Sequence, residues 1–395
     1  MKKVIYLDNN ATTAPLPSVT KAVLHAMETL WGNPSSIHRV GQEARHQVDE
    51  ARAAVASLIN CEAARITFTS GGTEAANLAL KSACAMRPNR KMIITSQVEH
   101  AAVGEAIDLL VVENGYNIVR LENCSDGIVC LKQLEKLLQD HAEEIAVVSV
   151  MWCNNETGVI EPIEKIVALC HAHGVLVHSD GTQWVAKMPV DVQDVPIDLL
   201  TFASHKFHGP KGVGAMYSST GITVSPLVTG GPQERGRRGG TENVPAILGF
   251  GVAATEAMLW LTEENIHRME SQREMFETLL ASKIPTIHIN SSGAPRAWTT
   301  SSISFPEVKG ELMLLMLSEQ GVCASSGSAC SSGALKGSKV IEAIGTPGDG
   351  EWGAVRFSFA RTTTEEDLTF TVGALVTVVQ TIHSIVSAAS EPQTN

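Results

Sequence analysis

Seven short apolar runs, at 66–68, 92–95, 118–121, 146–152, 175–178, 199–203 and 214–217, alternate with stretches of helical periodicity. Each run is too short for a helix and ends in turn-forming residues, so each reads as a strand. Runs that are apolar throughout, rather than at every second position, belong to strands covered on both faces. That condition is met by a mainly parallel sheet with helices above and below, which makes the chain α/β. Its 395 residues, 44% of them hydrophobic, can bury a large core and suggest two to three domains. Before the alternation, Pro15 and Pro17 precede a helical pattern over 18–30. A turn-rich loop then leads to an amphipathic helix over 42–59, with Ala44, Val48, Ala51, Val55 and Leu58 on one face. After it, one long helical region is expected over 247–280, then a smaller α+β unit from 303 and a polar, frayed end at 387–395.

Two of the strand ends carry chemistry. The run 199–203 leads into Ser204-His205-Lys206, with Gly209 and Pro210 closing the turn. A lysine at the end of a buried strand loses solvation of its charged form, which makes its amine usable as a nucleophile or Schiff-base former. Taken alone, Lys206 reads more readily as a solvated loop residue. The run 175–178 leads to Asp180, and in a parallel sheet both strand ends face one crevice, where open α/β sheets bind ligands. A lysine and an aspartate placed this way are the pair that a pyridoxal phosphate site requires. The lysine captures the aldehyde and the carboxylate keeps the pyridine nitrogen protonated.

With that pair in view, the chain resembles the fold-type I pyridoxal phosphate enzymes, and within them the cysteine desulfurases of the NifS/IscS type. The resemblance runs through Tyr6-Leu7-Asp8-Asn9-Asn10-Ala11-Thr12-Thr13, Gly32-Asn33-Pro34-Ser35-Ser36, Ser70-Gly71-Gly72-Thr73-Glu74, Glu99-His100 and Asn154-Asn155-Glu156-Thr157-Gly158. It continues in Ser204-His205-Lys206, in the Gly- and Arg-rich loop at 234–243, in Ser325-Ser326-Gly327-Ser328-Ala329-Cys330 and in Arg356-Phe357-Ser358. It implies a large domain over 15–260 built on a mainly parallel seven-stranded sheet that binds pyridoxal 5'-phosphate. It also implies a smaller α+β domain made of 1–14 and 261–395.

Carried over residue by residue, the resemblance implies that Gly72 and Thr73 hold the phosphate at a helix N-terminus, with Ser204 and His205 as further donors and Thr241 reaching in from a partner subunit. His100 is expected to stack on the pyridine ring and to act as a base. Asn155 and Gln183 are expected to bond the ring hydroxyl, with Asn155 also near the substrate, and Arg356 to clamp the substrate carboxylate. A simple turn at Asn154 and Asn155, and a structural histidine at 100, are the plainer alternatives. Cys330 lies in a segment of small side chains that cannot pack, as expected of a mobile thiol that collects sulfur in one place and delivers it in another. The reaction implied converts L-cysteine to L-alanine and leaves a persulfide on Cys330.

The implied partners are a second copy of the chain and a sulfur-acceptor protein, such as an iron–sulfur scaffold or a sulfur carrier. Selenocysteine lyase on the same scaffold, and an idle binding platform, are the competing readings.

Three departures stand out. Ala203 occupies a position where relatives commonly place Ser or Cys, removing one hydroxyl contact to phosphate, worth about 1.5–3 kcal/mol. Lys336-Gly337 stands where Glu-Pro often follows the mobile loop. The tail at 387–395 lacks an aromatic residue, so scaffold docking by that route is not expected. A formal charge of −12 disfavours broad contact with nucleic acid or anionic membrane. No signal-peptide pattern and no apolar run of transmembrane length is read, so the expected location is the cytoplasm. The eight cysteines contain no CxxC pair, so no metal site is expected, and Cys330 is at most a transient iron–sulfur ligand. Cys323, on the apolar side of its segment, is expected to be buried.

Overall fold

The structure, a computed structural model, describes residues 4–124, 126–326, 338–345 and 352–390, with side chains to 385. The chain opens with β1 (Ile5–Tyr6), α1 (Pro17–Thr29) and α2 (Arg39–Ser57). It then alternates through β2 (Ile66–Thr69), α3 (Gly72–Met86), β3 (Met92–Ser96), α4 (Ala101–Asn114), β4 (Asn117–Leu121), α5 (Leu131–His141), β5 (Ile145–Ser149), α6 (Ile163–Ala172) and β6 (Leu176–Asp180). The strands β7 (Leu199–Ala203) and β8 (Gly214–Ser218) complete a seven-stranded sheet of order β2-β8-β7-β6-β5-β3-β4. Only β8 runs antiparallel to its neighbours. The expected strands are all found, within a few residues at each end. Every residue of β5, β6 and β7 is buried, as continuous apolar runs require.

The chain lays β4 on one side of β3 and then crosses to place β5 on the other, so strand order reverses between β3 and β5. A crevice opens at such a reversal, beyond the carboxyl ends of the strands. The helices α1, α2 and α7 (Val244–Trp260) cover one face. Their Val19, Val48, Val55, Phe250 and Ala254 join Phe68 and Phe202 of the sheet in one core.

The helical region expected over 247–280 is two helices, α7 and α8 (Glu263–Lys283), bent by 85°. Thr262 ends the first and caps the second: its hydroxyl accepts from Asn265 N at 3.3 Å, and Asn265 Nδ2 donates back to Trp260 O at 2.9 Å. Beyond α8 come β9 (His288–Ile289), β10 (Thr300–Pro306), α9 (Gly310–Glu319), β11 (Val322–Cys323), α10 (Lys339–Ile344), β12 (Trp352–Ser358) and α11 (Glu365–Ser390). Cys323 in β11 is half-buried, rather than fully buried as its apolar setting suggested.

Strands β9, β10 and β12 form an antiparallel sheet, and β1 pairs in parallel with β11. The N-terminal residues therefore pack with the C-terminal ones, and a second core gathers Ile5 and Leu7 with Phe276, Phe305, Phe357 and Leu375. Residues 387–390 continue α11, which corrects the frayed end expected there. The stretch Glu365–Ile385 is also long and apolar enough to cross a membrane, contrary to the sequence reading. Here its Leu368, Val372, Leu375, Val379 and Ile382 recur at helical spacing and fill the second core.

Candidate active site

The carboxyl ends of β3, β5, β6 and β7 and the N-terminus of α3 surround a cavity of about 240 Å³, with Ala11 adding part of its wall. Gly72, Thr73, His100, Asn155, Asp180, Gln183, His205 and Lys206 all line it. The topology thus brings together eight residues singled out by sequence from segments spread over more than a hundred positions.

Lys206 closes a short 3₁₀ turn after β7. Its Nζ donates to Asn10 O at 2.6 Å and to Ala11 O at 3.1 Å. The N-terminal segment is laid beside it by Thr13, whose N–H donates to His205 O at 2.9 Å. Asp180, the last residue of β6, is buried and accepts from Thr182 N at 2.9 Å. His100 is the N-cap of α4, its Nδ1 accepting from Ala102 N at 3.1 Å. The tautomer that accepts at Nδ1 carries its hydrogen on Nε2, so this ring offers a proton donor. With Nδ1 engaged by the backbone, any proton that His100 gives or takes passes through Nε2. Burial, with Lys206 and Arg356 also opposing a positive ring, holds its pKa below the usual histidine value against the pull of Asp180. His205 is pushed down further, to about 4, by burial and then by Lys206, Lys211 and Lys187. Its Nδ1 lies 3.1 Å from Thr12 Oγ1.

The first turn of α3 has no side-chain cap, and Glu74 instead takes the N–H of Ser70 at 2.9 Å and Arg238 at 2.9 Å. A methyl group on Gly72 would stand 3.3 Å from Thr182 Oγ1 and 3.4 Å from Ala203 Cβ, so the missing side chain leaves a cradle. Gly214 has its own steric reason, because a Cβ there would lie 2.5 Å from the Gly71 carbonyl carbon and displace this turn. Ala203 does line the cavity. Ser204 does not: it is fully buried, and a Cβ on Gly209 would meet its hydroxyl at 1.9 Å. The hydroxyl missing at 203 is therefore not restored by Ser204, which corrects its expected role as a phosphate donor.

Arg356 in β12 sits one step behind the cavity. Its guanidinium donates to Asn155 O at 3.1 Å and to Asp8 Oδ1 at 2.7 Å. Thr241 is exposed on the Gly- and Arg-rich loop. That loop is tied down by Glu234, which accepts from both terminal guanidinium nitrogens of the buried Arg52 at 2.7 Å and from the N–H of Phe68 at 2.9 Å. Glu234 and Arg235 both have left-handed backbone, at φ 48° and 57°. Cys330, with Lys336 and Gly337, lies outside the described residues. The residues on either side meet the site's supports: Ser325 exchanges backbone hydrogen bonds with Arg356, at 2.7 and 3.1 Å, and Ser338 Oγ donates to Glu156 Oε2 at 2.5 Å.

Sequence reasoning gave no role to Asn10, Glu99 or Lys187, although the first two stand in motifs that carry the resemblance. Asn10 is a buried junction: its backbone oxygen also accepts from Gln183 Nε2 at 3.0 Å, and its side-chain amide donates to Asn155 O at 3.0 Å and Thr300 Oγ1 at 2.7 Å. Glu99 is half-buried, accepting from Ser96 Oγ at 2.6 Å and Met151 N at 2.9 Å. Burial pushes its carboxyl up to about 8. The signal available for Lys187 was its spacing, four residues after Gln183 in a turn.

The donor set fits pyridoxal 5'-phosphate. An amine, a carboxylate at a neighbouring strand end, a flat histidine ring and an uncapped helix start beside a cradle meet the aldehyde, ring nitrogen, ring face and phosphate respectively. Among the described residues no cluster of His, Cys, Asp and Glu is arranged to hold a metal ion.

Comparison with known proteins gives the same direction. Residues 5–370 match the aminotransferase class-V family. The chain is 42% identical to cysteine desulfurase 2 of Trichormus variabilis, over 97% of its own length and 94% of the relative's. It is 39% identical to cysteine desulfurase NifS of Azotobacter vinelandii, over 96% of its length and 94% of that protein's. A solved NifS-like protein superposes with a TM-score of 0.88 at 32% identity, covering 96% of this chain and all of the other. SspA, solved in complex with cysteine, superposes with a TM-score of 0.78 at 28% identity, covering 91% and 99%.

Proposed function

The chain belongs to the aminotransferase class-V family, and from that footing we propose that it is a cysteine desulfurase that works with pyridoxal 5'-phosphate held on Lys206. The observation that carries this is the meeting of Lys206 and Asp180 in one cavity with the uncapped start of α3. Bound there, the cofactor supplies an electron sink for the α-carbon of the substrate.

The residues around it have separable tasks. Asp180 keeps a proton on the ring nitrogen, while Gly72 and Thr73 orient the phosphate through backbone N–H groups. Gln183 and Asn155 offer hydrogen bonds to the ring oxygen. Arg356 draws the substrate carboxylate toward Asn155, and Lys206 Nζ removes the α-proton of L-cysteine. His100, in the cavity wall, would meet the face of the ring, with Nε2 as the position that exchanges a proton. Cys330 is the sulfur acceptor: its thiolate attacks the substrate sulfur, the carbon–sulfur bond breaks with its electron pair on the β-carbon, the β-carbon takes the proton the substrate thiol releases, Lys206 returns the α-proton, and a persulfide and L-alanine result.

A homodimer, with Thr241 supplied to the neighbouring site, and hand-over to an iron–sulfur scaffold or sulfur carrier belong to the same proposal. So does a cytoplasmic location, supported by the unpaired described cysteines. A cofactor-binding domain over 15–260 and a second domain from 1–14 with 261–395 are supported by the separate cores.

The test is to mix the purified protein with L-cysteine and measure alanine, and sulfur on Cys330 by mass spectrometry. Equal amounts of both are expected. Alanine without sulfur on Cys330 would remove that residue from the mechanism, and no alanine would remove the activity.

A further inference from the structure

Lys187 is a buried amine beside the cavity that the proposed chemistry leaves unused. It is 5% exposed, and its backbone is clamped: its N–H donates to Trp184 O at 3.1 Å and its carbonyl accepts from Trp298 Nε1 at 2.9 Å. Its Nζ donates to Gln183 Oε1 and, at 3.3 Å, to Asn10 Oδ1. An ammonium buried for packing alone is a poor choice, because an apolar side chain of similar volume fills such a place without the desolvation cost.

What the amine does follows from donor counting. A lysine has only hydrogens to give whenever it is charged, so the Gln183 amide must turn its carbonyl toward it. The amide nitrogen then gives one hydrogen to Asn10 O, the same oxygen that receives Lys206 Nζ. Gln183 also lines the cavity, and one N–H remains to point there. We propose that Lys187 is a positioning residue that acts through Gln183, fixing the amide so that an N–H rather than the carbonyl faces the cofactor cavity. This rests on the reading of that cavity as the cofactor site.

The residues that bear electrostatically on Lys187 are Lys206, Arg356 and the Cys153 thiol, which burial keeps protonated. Burial, then Lys206, lowers its pKa to about 7. A neutral amine still has N–H groups for Gln183 Oε1, and the Asn10 carbonyl, which can only accept, keeps the amide nitrogen on its own side, so the device holds on both sides of that value.

A donor aimed at the ring oxygen stabilises its negative charge and lowers the proton affinity of the chromophore on Lys206. The test is a pH titration of the visible absorbance of the cofactor-loaded protein in Lys187→Met, Gln183→Leu, the double variant and Lys187→Gln. Both single variants are expected to raise the midpoint by about one pH unit, a tenfold change in proton affinity. The double variant should shift no further than the larger single one, because Lys187 acts only through the amide. Lys187→Gln, uncharged but able to donate to the Gln183 carbonyl, should keep the native midpoint and serves if the methionine variant does not fold. An unmoved midpoint in Lys187→Met, additive shifts in the double variant, or a Lys187→Gln shift as large as that of a single variant overturns the inference. A native protein with no cofactor absorbance overturns the functional reading itself, and the inference with it.

Discussion

Replacing Arg52 with methionine isolates one buried contact that fastens the Gly- and Arg-rich loop to the sheet. Arg52 and Glu234 side chains are 4% and 3% exposed. Their two nitrogen–oxygen distances are both 2.7 Å, and the guanidinium also donates to Ile66 O at 3.2 Å and lies 4.6 Å above the Phe68 ring. Methionine keeps most of the packing volume and removes the charge, leaving the Glu234 carboxylate buried with the Phe68 N–H as its remaining described donor. Breaking a buried pair from one side costs about 3–5 kcal/mol, because the stranded charge keeps its desolvation penalty. Replacing both members with apolar residues removes that penalty, so Arg52→Met combined with Glu234→Leu should recover most of the loss. Denaturant unfolding followed by circular dichroism measures both, with an unchanged m-value showing that the midpoint shift is a stability change. A loss below about 1 kcal/mol in Arg52→Met, or a double variant no more stable than the single, would refute the view that a stranded charge sets the cost.

Arg356→Lys retains a cation for Asp8 but cannot present a planar two-pronged donor, so KM for L-cysteine should rise roughly 10- to 150-fold with kcat little changed. A collapse of kcat at constant KM would place Arg356 in the chemistry instead. Glu99 has its pKa raised by burial to about 8, above the unfolded value, so the folded state binds the extra proton. The stability this contributes is complete below about pH 4.5 and is lost as pH rises toward 8. Glu99→Gln should flatten stability measured across that window, and an unchanged slope would show that Glu99 is ionised throughout it. Ala203→Ser returns a hydroxyl to the cavity wall and should tighten cofactor binding roughly tenfold, as read by dialysis against cofactor-free buffer.

The sheet was legible because burial on both faces demands uninterrupted apolar runs, and 199–203 and its companions have them. Lys206 and Asp180 were legible because a charged residue within three positions of the end of such a run has few other places to be. The break at Leu261 was missed because neither glycine nor proline marks it. The cue was Thr262 three residues before Asn265, an N-cap pattern inside a continuous helical period. Ser204 was misassigned because adjacency to Lys206 was taken for a shared direction, whereas the chain enters a 3₁₀ turn there and turns that hydroxyl toward Gly209. Asn10 and Lys187 stayed invisible because their partners are set by long-range packing: Asn10 meets Gln183 across 173 positions. The His100 tautomer depends on a backbone N–H two residues ahead, a detail that residue type cannot convey.

Borohydride reduction of the cofactor-loaded protein, followed by peptide mapping, bears most directly on the claim that the cavity is built around one amine. A pyridoxyl group on the peptide containing Lys206, and absent from Lys206→Ala, is the predicted result. Label on Lys187 or elsewhere, or none at all, would contradict it.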